Sequence, residues 1–146
     1  MEENAIRILD SHRILAISTV RPDGWPQTTI VGYANDGWII YFLILRSSQK
    51  FMNIERVNRV SIAIGGEPSE LNELKAVYAG ALVNEVTDLV QAEHAWRLLV
   101  QRHPNLAQLG LPKGSETALM QAVCKHVSVV DYSQGVGHTE ALTIGV

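Results

Sequence analysis

The sequence predicts a mainly β domain of the α+β class, built as a small closed or partly closed antiparallel barrel. Three observations carry this expectation. Six short segments have strand character, turn sequences join the early ones, and helical patterns fall between the later ones. An open α+β sheet with helices on one face is the competing arrangement. A length of 146 residues suits a single domain over residues 1–146 with one core.

The elements follow in order. Residues 3–12 can form a short helix, with Ile6 and Leu9 on one face. I-L-A-I-S-T-V at 14–20 is rich in β-branched residues and reads as a first strand. R-P-D-G-W-P at 21–26 is turn chemistry, because Pro22 presets a central turn position and Asp23-Gly24 supplies the bend. Q-T-T-I-V-G-Y-A at 27–34 is a second strand, and N-D-G at 35–37 is a hairpin signal. W-I-I-Y-F-L-I-L at 38–45 is a third strand, apolar on both faces and therefore buried.

Residues 48–58 read as a helix whose apolar face carries Phe51, Ile54 and Val57, with Met52 close by. Residues 59–64 form a fourth strand closed by G-G-E-P at 65–68. Residues 75–86 form a fifth, in which Gly80 marks a bulge or a close backbone approach. Asp88 can cap a following helix, with Gln91 as its capping-box partner. Leu89, Ala92, Trp96 and Leu99 mark the stripe of that helix, and Pro104 ends it. Residues 105–114 read as loop, 115–123 as a short helix capped by Ser115, and K-H-V-S-V-V-D-Y at 125–132 as the last strand. The remainder, S-Q-G-V-G-H-T-E-A-L-T-I-G-V, reads as a tail.

Composition narrows the function. A net charge of −3, with basic residues spread along the chain, argues against a nucleic-acid binder, which needs a basic face. A single cysteine, Cys124, forbids an intramolecular disulfide and fits a reducing compartment. The opening MEENAIRILD is acidic and not a secretory signal, and the longest apolar run is far too short to span a bilayer. A cytoplasmic protein without a membrane role is expected.

The sharpest local signal is R-S-S-Q-K at 46–50, where a buried strand stops and a helix begins. Free N–H groups and the positive end of the helix dipole meet at such a junction, and a phosphate is favoured there. Arg46 adds a forked donor, Lys50 a point charge, and Ser47 and Ser48 adjustable hydroxyls. The plainer reading is that Ser48 is an N-cap and the cations are solvated. Thr28 and Thr29 lie in the second strand next to Ile30 and Val31. If that strand pairs with the third, a flat apolar ring can rest along both, its polar edge meeting main-chain groups.

Taken together, H-R-I-L-A-I-S-T-V-R-P-D-G-W-P-Q-T-T-I-V-G-Y at 12–33, W-I-I-Y-F, R-S-S-Q-K-F-M-N-I and N-R-V-S-I-A-I at 58–64 resemble the pyridoxamine 5'-phosphate oxidase-like family. Members are FMN-binding, six-stranded antiparallel split β-barrels. The resemblance implies a homodimer with FMN at the subunit interface and an oxidoreductase that acts on a small-molecule substrate. It places the flavin phosphate at Arg46, Ser47 or Ser48, and Lys50, with Gln49 among the cofactor-binding positions, and the ring against Gln27, Thr28, Thr29, Ile30, Leu43 and Ile44. Ile44 and Leu45 stand where members often carry threonine and glycine. The arginine–histidine motif that true pyridoxamine phosphate oxidases carry near the C-terminus is not found, so that specific activity is not expected. One alternative is a non-catalytic binder or sensor of flavin, the deazaflavin F420 or haem. Another is a protein-interaction domain without a cofactor.

No other motif carries chemistry as well. The histidines His12, His94, His103, His126 and His138 lack metal-ligand spacing, so no metal site is expected. His138 follows G-V-G, where glycines permit close approach to a ligand or a second subunit. Trp25, Trp38 and Trp96 read as packing residues, and Trp96 as core or interface. No catalytic residue is assigned.

Overall fold

Seven strands and three helices make up a computed structural model of the protein, which describes residues 1–108 and 116–144. In chain order they are α1 (Glu2–Asp10), β1 (Ile14–Val20), β2 (Pro26–Asp36), β3 (Ile39–Leu45), α2 (Gln49–Arg56), β4 (Arg59–Gly65), β5 (Lys75–Glu85), α3 (Leu89–Arg102), β6 (Thr117–Asp131) and β7 (Thr139–Thr143). The sheet runs β3-β2-β1-β4-β5-β6-β7 and is closed by a further pairing of β3 with β6. Six strands therefore form a closed antiparallel barrel, and the open-sheet alternative falls away. Strand β7 lies outside the ring as an added strand on β6.

The barrel closes because β6 is long enough for three neighbours. One edge pairs with β5 from Met120 to Asp131. The other edge pairs with β3 over Thr117–Val123 and with β7 over His126–Val130. Alternation along the strands fills the interior. Leu15, Ile17, Ile40, Phe42, Val60, Ile62, Ile64, Val77, Met120 and Val129 all point into one buried cluster, with Phe51 and Ile54 of α2 and Ile8 and Leu9 of α1 closing on it. A smaller cluster forms where Ala95 and Leu99 of α3 cover Ala34 and Tyr41.

Four expectations need correction. Residues 117–123 are strand, not helix. Ala, Leu, Met and Gln favour helices, but Ala118, Met120, Ala122 and Cys124 alternate inward, and pairing on both edges overrides propensity. Ser115 and residues 109–114 lie outside the described residues. The tail is not simply loop either. Asp131 accepts a hydrogen bond from the Ser133 N–H, Gly135 and Gly137 adopt φ of +131° and +89°, and the chain returns as β7. On α3, Ala95 and Leu99 are buried, whereas Leu89 is 82% and Trp96 40% exposed. Trp96 is thus not a core residue. Asp88 caps α3 by accepting from the Gln91 N–H, but the Gln91 side chain donates to Tyr41 and Gln121 instead of returning to Asp88.

The hairpins form as the turn residues require. Gly24 and Gly37 take φ of +87° and +58° at the β1–β2 and β2–β3 turns. Among the described residues no helix is long and apolar enough to cross a membrane.

Candidate functional site

The barrel is split along β2 and β3. Their ladder joins only Tyr33–Asp36 to Ile39–Phe42. Below Tyr33, β2 pairs with β1 alone, from Pro26 to Gly32. Past Phe42, β3 pairs with β6 alone, from Leu43 to Leu45. Two strand edges therefore carry backbone groups that no ladder uses, and such edges bind an added strand or ligand. The second strand does pair with the third, but through Tyr33–Asp36, so Gln27, Thr28, Thr29 and Ile30 lie outside that ladder.

Helix α2 begins where β3 ends. Ser48 is its N-cap, accepting from the Phe51 N–H at 3.2 Å and donating to the Leu45 carbonyl at 2.7 Å. Its hydroxyl is thus fully used by the local turn. The N–H groups of Gln49 and Lys50 lie in the first turn, where an α-helix has no internal acceptor for them. Ser47 is exposed, and Lys50 forms no ion pair among the described residues.

Arg46 is committed elsewhere. Its two terminal nitrogens donate to the two carboxylate oxygens of Glu85, both at 2.7 Å, and its guanidinium lies 5.7 Å from the centre of the Phe51 ring. These hydrogen bonds hold the Glu85 carboxyl below the usual carboxylate range. Arg46 would have to leave Glu85 to present its fork to a ligand. Nothing in the sequence pointed to Glu85, which lies in a different strand.

One residue ties α2 to β2. Asn53 is fully buried, and its amide nitrogen donates to Thr19 Oγ1 at 3.0 Å and to Gln27 Oε1 at 3.2 Å. Its oxygen accepts from Gln49 at 2.8 Å. Gln27 and Gln49 are thereby brought together through Asn53. Spacing along the chain does not reveal this, since Thr19 and Gln27 lie in other elements. Arg56 adds a second tie, donating to the carbonyls of Val20 and Arg21.

Strand alternation divides the other expected residues. Gln27 and Thr29 face inward, and Thr28 and Ile30 face outward. Thr28 exchanges a hydrogen bond with Ser18 at 2.7 Å, and Ile30 is 63% exposed. Ile44 is buried in the barrel core, and Leu43 packs on the α3 side. Their side chains fill the protein, so only their backbone edge is open. Thr29 Oγ1 is buried without a hydrogen-bond partner among the described residues. A buried hydroxyl left unpaired costs roughly 1–3 kcal/mol, so this atom marks a place where a bound group would gain.

The histidines are dispersed. His103 donates to the Tyr33 carbonyl and lies over Gly32, where a Cβ would come within 3.2 Å of its ring. His94 pairs with Asp36. His138 Nε2 is buried, 3.6 Å from Glu140 and beyond hydrogen-bond reach. Among the described residues no group of three or more His, Cys, Asp or Glu could hold a metal ion.

Comparison with known proteins agrees with the barrel fold. The profile of the pyridoxamine 5'-phosphate oxidase family matches residues 1–133. No curated protein sequence matches the chain. Solved structures with the same fold include a haem-binding protein from Mycobacterium smegmatis, with TM-score 0.81 and 18% identity over 97% of this chain and 57% of that one. This chain thus spans little more than half of that protein's length. They also include a putative pyridoxamine 5'-phosphate oxidase from Listeria innocua, with TM-score 0.73 and 15% identity over 89% of this chain and 98% of that one. A third is a FAD-binding protein from Mesorhizobium loti, with TM-score 0.70 and 18% identity over 87% of this chain and 91% of that one. At these identities the likeness is one of fold.

Proposed function

The chain belongs to the pyridoxamine 5'-phosphate oxidase family, and on that premise we propose that it binds FMN and uses it in redox chemistry on a small-molecule substrate. The observation that carries this reading is a coincidence of parts. The N-terminus of α2, with Ser47 exposed and Lys50 in no ion pair among the described residues, lies at the end of β3, and β2 is tied to the same helix with one edge in no ladder among those residues. The buried, partnerless Thr29 hydroxyl supplies the test of fit, because a bound group at this edge would satisfy it.

Lys50, Ser47 and the first-turn N–H groups would hold the flavin phosphate. The free backbone edges at Gln27, Thr28, Thr29 and Ile30 and at Leu43 and Ile44 would meet the ring's polar rim. Ser48 and Gln49 shape the site by capping α2 and bracing Asn53. FMN, when bound, supplies the electron transfer; the protein supplies binding, orientation and exclusion of water.

The proposal includes a homodimer in the cytoplasm with the cofactor at the subunit interface. Ile30, Ala16, Ala63 and Tyr78 form one uncharged row across the outer face of β2, β1, β4 and β5. A shallow groove of about 290 Å³ runs over this face, bordered also by Ile14. Exposed apolar sheet surface of this kind is commonly buried by a two-fold related copy.

A second reading is a non-catalytic carrier or sensor of flavin, deazaflavin F420 or haem, and the fold shared with the mycobacterial haem-binding protein favours it. Titration with FMN, then anaerobic addition of NADH or NADPH, separates the two. Saturable binding with bleaching of the flavin absorbance supports the redox reading. Binding without bleaching by either donor supports the carrier, and no binding of FMN contradicts both flavin readings.

A further inference from the structure

A β-bulge between β5 and β6 gathers three basic side chains. Gly80 of β5 pairs with His126, and Ala81 pairs with Cys124, so Lys125 is an extra residue in β6. Consecutive strand residues ordinarily point to opposite faces. The bulge breaks that rule and re-aims side chains, as bulges beside binding sites do. The burial pattern registers the shift: Cys124 is buried, Lys125 is half-buried, His126 is exposed and Val127 is buried again. Two successive basic residues therefore leave the core together.

Arg59, the first residue of β4, completes the group. Arg59, Lys125 and His126 line one cleft of about 400 Å³, with Gly80, Val60, Ala81 and Leu82. None of the three basic side chains has a hydrogen bond or ion pair among the described residues, and among those residues no carboxylate lines the cleft. Gly80 leaves the floor open, since a Cβ there would lie 3.8 Å from the His126 ring. In a chain of net charge −3, Arg59 and Lys125, with no ion pair among the described residues, make a locally positive cleft over an apolar floor. It attracts anions, and its apolar wall favours an organic body.

We propose that this cleft is a binding site for a small organic anion, in which Arg59 and Lys125 hold a phosphate or similar dianion, His126 donates a further hydrogen bond, and Leu82, which faces away from the core beside the open Gly80, receives the apolar part. The site is separate from the α2 junction. Its lining includes no residue of β2, β3 or the first turn of α2. The inference does not depend on a flavin.

The test is amide NMR of the labelled protein titrated with inorganic phosphate and with phenyl phosphate, with sodium chloride matching the ionic strength. The account expects saturable shifts at the Gly80 and His126 amides, with phenyl phosphate binding more tightly. Arg59→Gln and Lys125→Gln, both conservative surface changes, should each weaken binding about tenfold, the loss expected for one charge-assisted contact. Lys50→Ala should leave the response at Gly80 unchanged. Absence of saturable shifts at these amides, or equal affinity in the Arg59 and Lys125 variants, would overturn the site. Equal affinity for the two probes would overturn its apolar half.

Discussion

Asn53 is the residue on which the split end of the barrel turns. It is a fully buried amide with three side-chain partners, two of them outside its own helix. Replacing it by alanine leaves Thr19, itself 1% exposed, without that partner. Asn53→Ala should therefore cost roughly 1–3 kcal/mol, read as a lowered urea midpoint, and an unchanged midpoint would contradict the bracing role. The Arg46–Glu85 pair makes a second residue-scale prediction. The Glu85 carboxyl is held below its ordinary value in the folded chain by the Arg46 hydrogen bonds. Its contribution to stability is thus present above the unfolded glutamate pKa of about 4.3 and is lost as pH falls through the folded value. The stability advantage of the native protein over Glu85→Gln should be present near neutral pH and shrink in acid. A constant difference across that range would contradict the linkage. Both residues were opaque in the sequence, because their partners lie in other elements and only the closed barrel brings them together.

At the scale of elements, turns and apolar runs were legible and context was not. The first strand, the D-G and N-D-G turns, the caps at Ser48 and Asp88 and the irregularity at Gly80 follow from local chemistry that survives in any fold. Strand β6 was half hidden. Its first half is written in helix-favouring residues, and only pairing with β3 and β5 makes it a strand. Strand β7 was hidden altogether, since a short polar strand depends on the edge it joins. Cys124 tests the assignment of β6 directly. Burial pushes its thiol up to about 12. It should resist thiol reagents in the folded protein near pH 8 and react fully once unfolded in urea. Rapid labelling of the native chain would contradict an inward-facing Cys124.

For the whole molecule, six strands close into one barrel, and the competing open sheet is excluded by the β3–β6 ladder. Family membership was legible because the pattern over 12–64 is collective, spread over strand, turn and junction. The fate of individual site residues was not, since sequence spacing cannot say that the Arg46 fork is filled or that Ile44 is buried. The uncharged outer face makes a prediction at this scale. Ala63 sits at the middle of the row from Ile30 to Tyr78. Ala63→Arg should convert a particle of twice the chain mass into a monomer by light scattering while leaving the circular dichroism unchanged. A monomeric native protein would contradict the proposed dimer.

The most direct test of the central claim is a flavin fluorescence titration of the native protein against Lys50→Ala. The account predicts saturable binding near one FMN per chain, weakened about tenfold or more when the free cation at the α2 N-terminus is removed. No saturable binding, or the same affinity in the variant, would contradict the assignment of the phosphate to this junction.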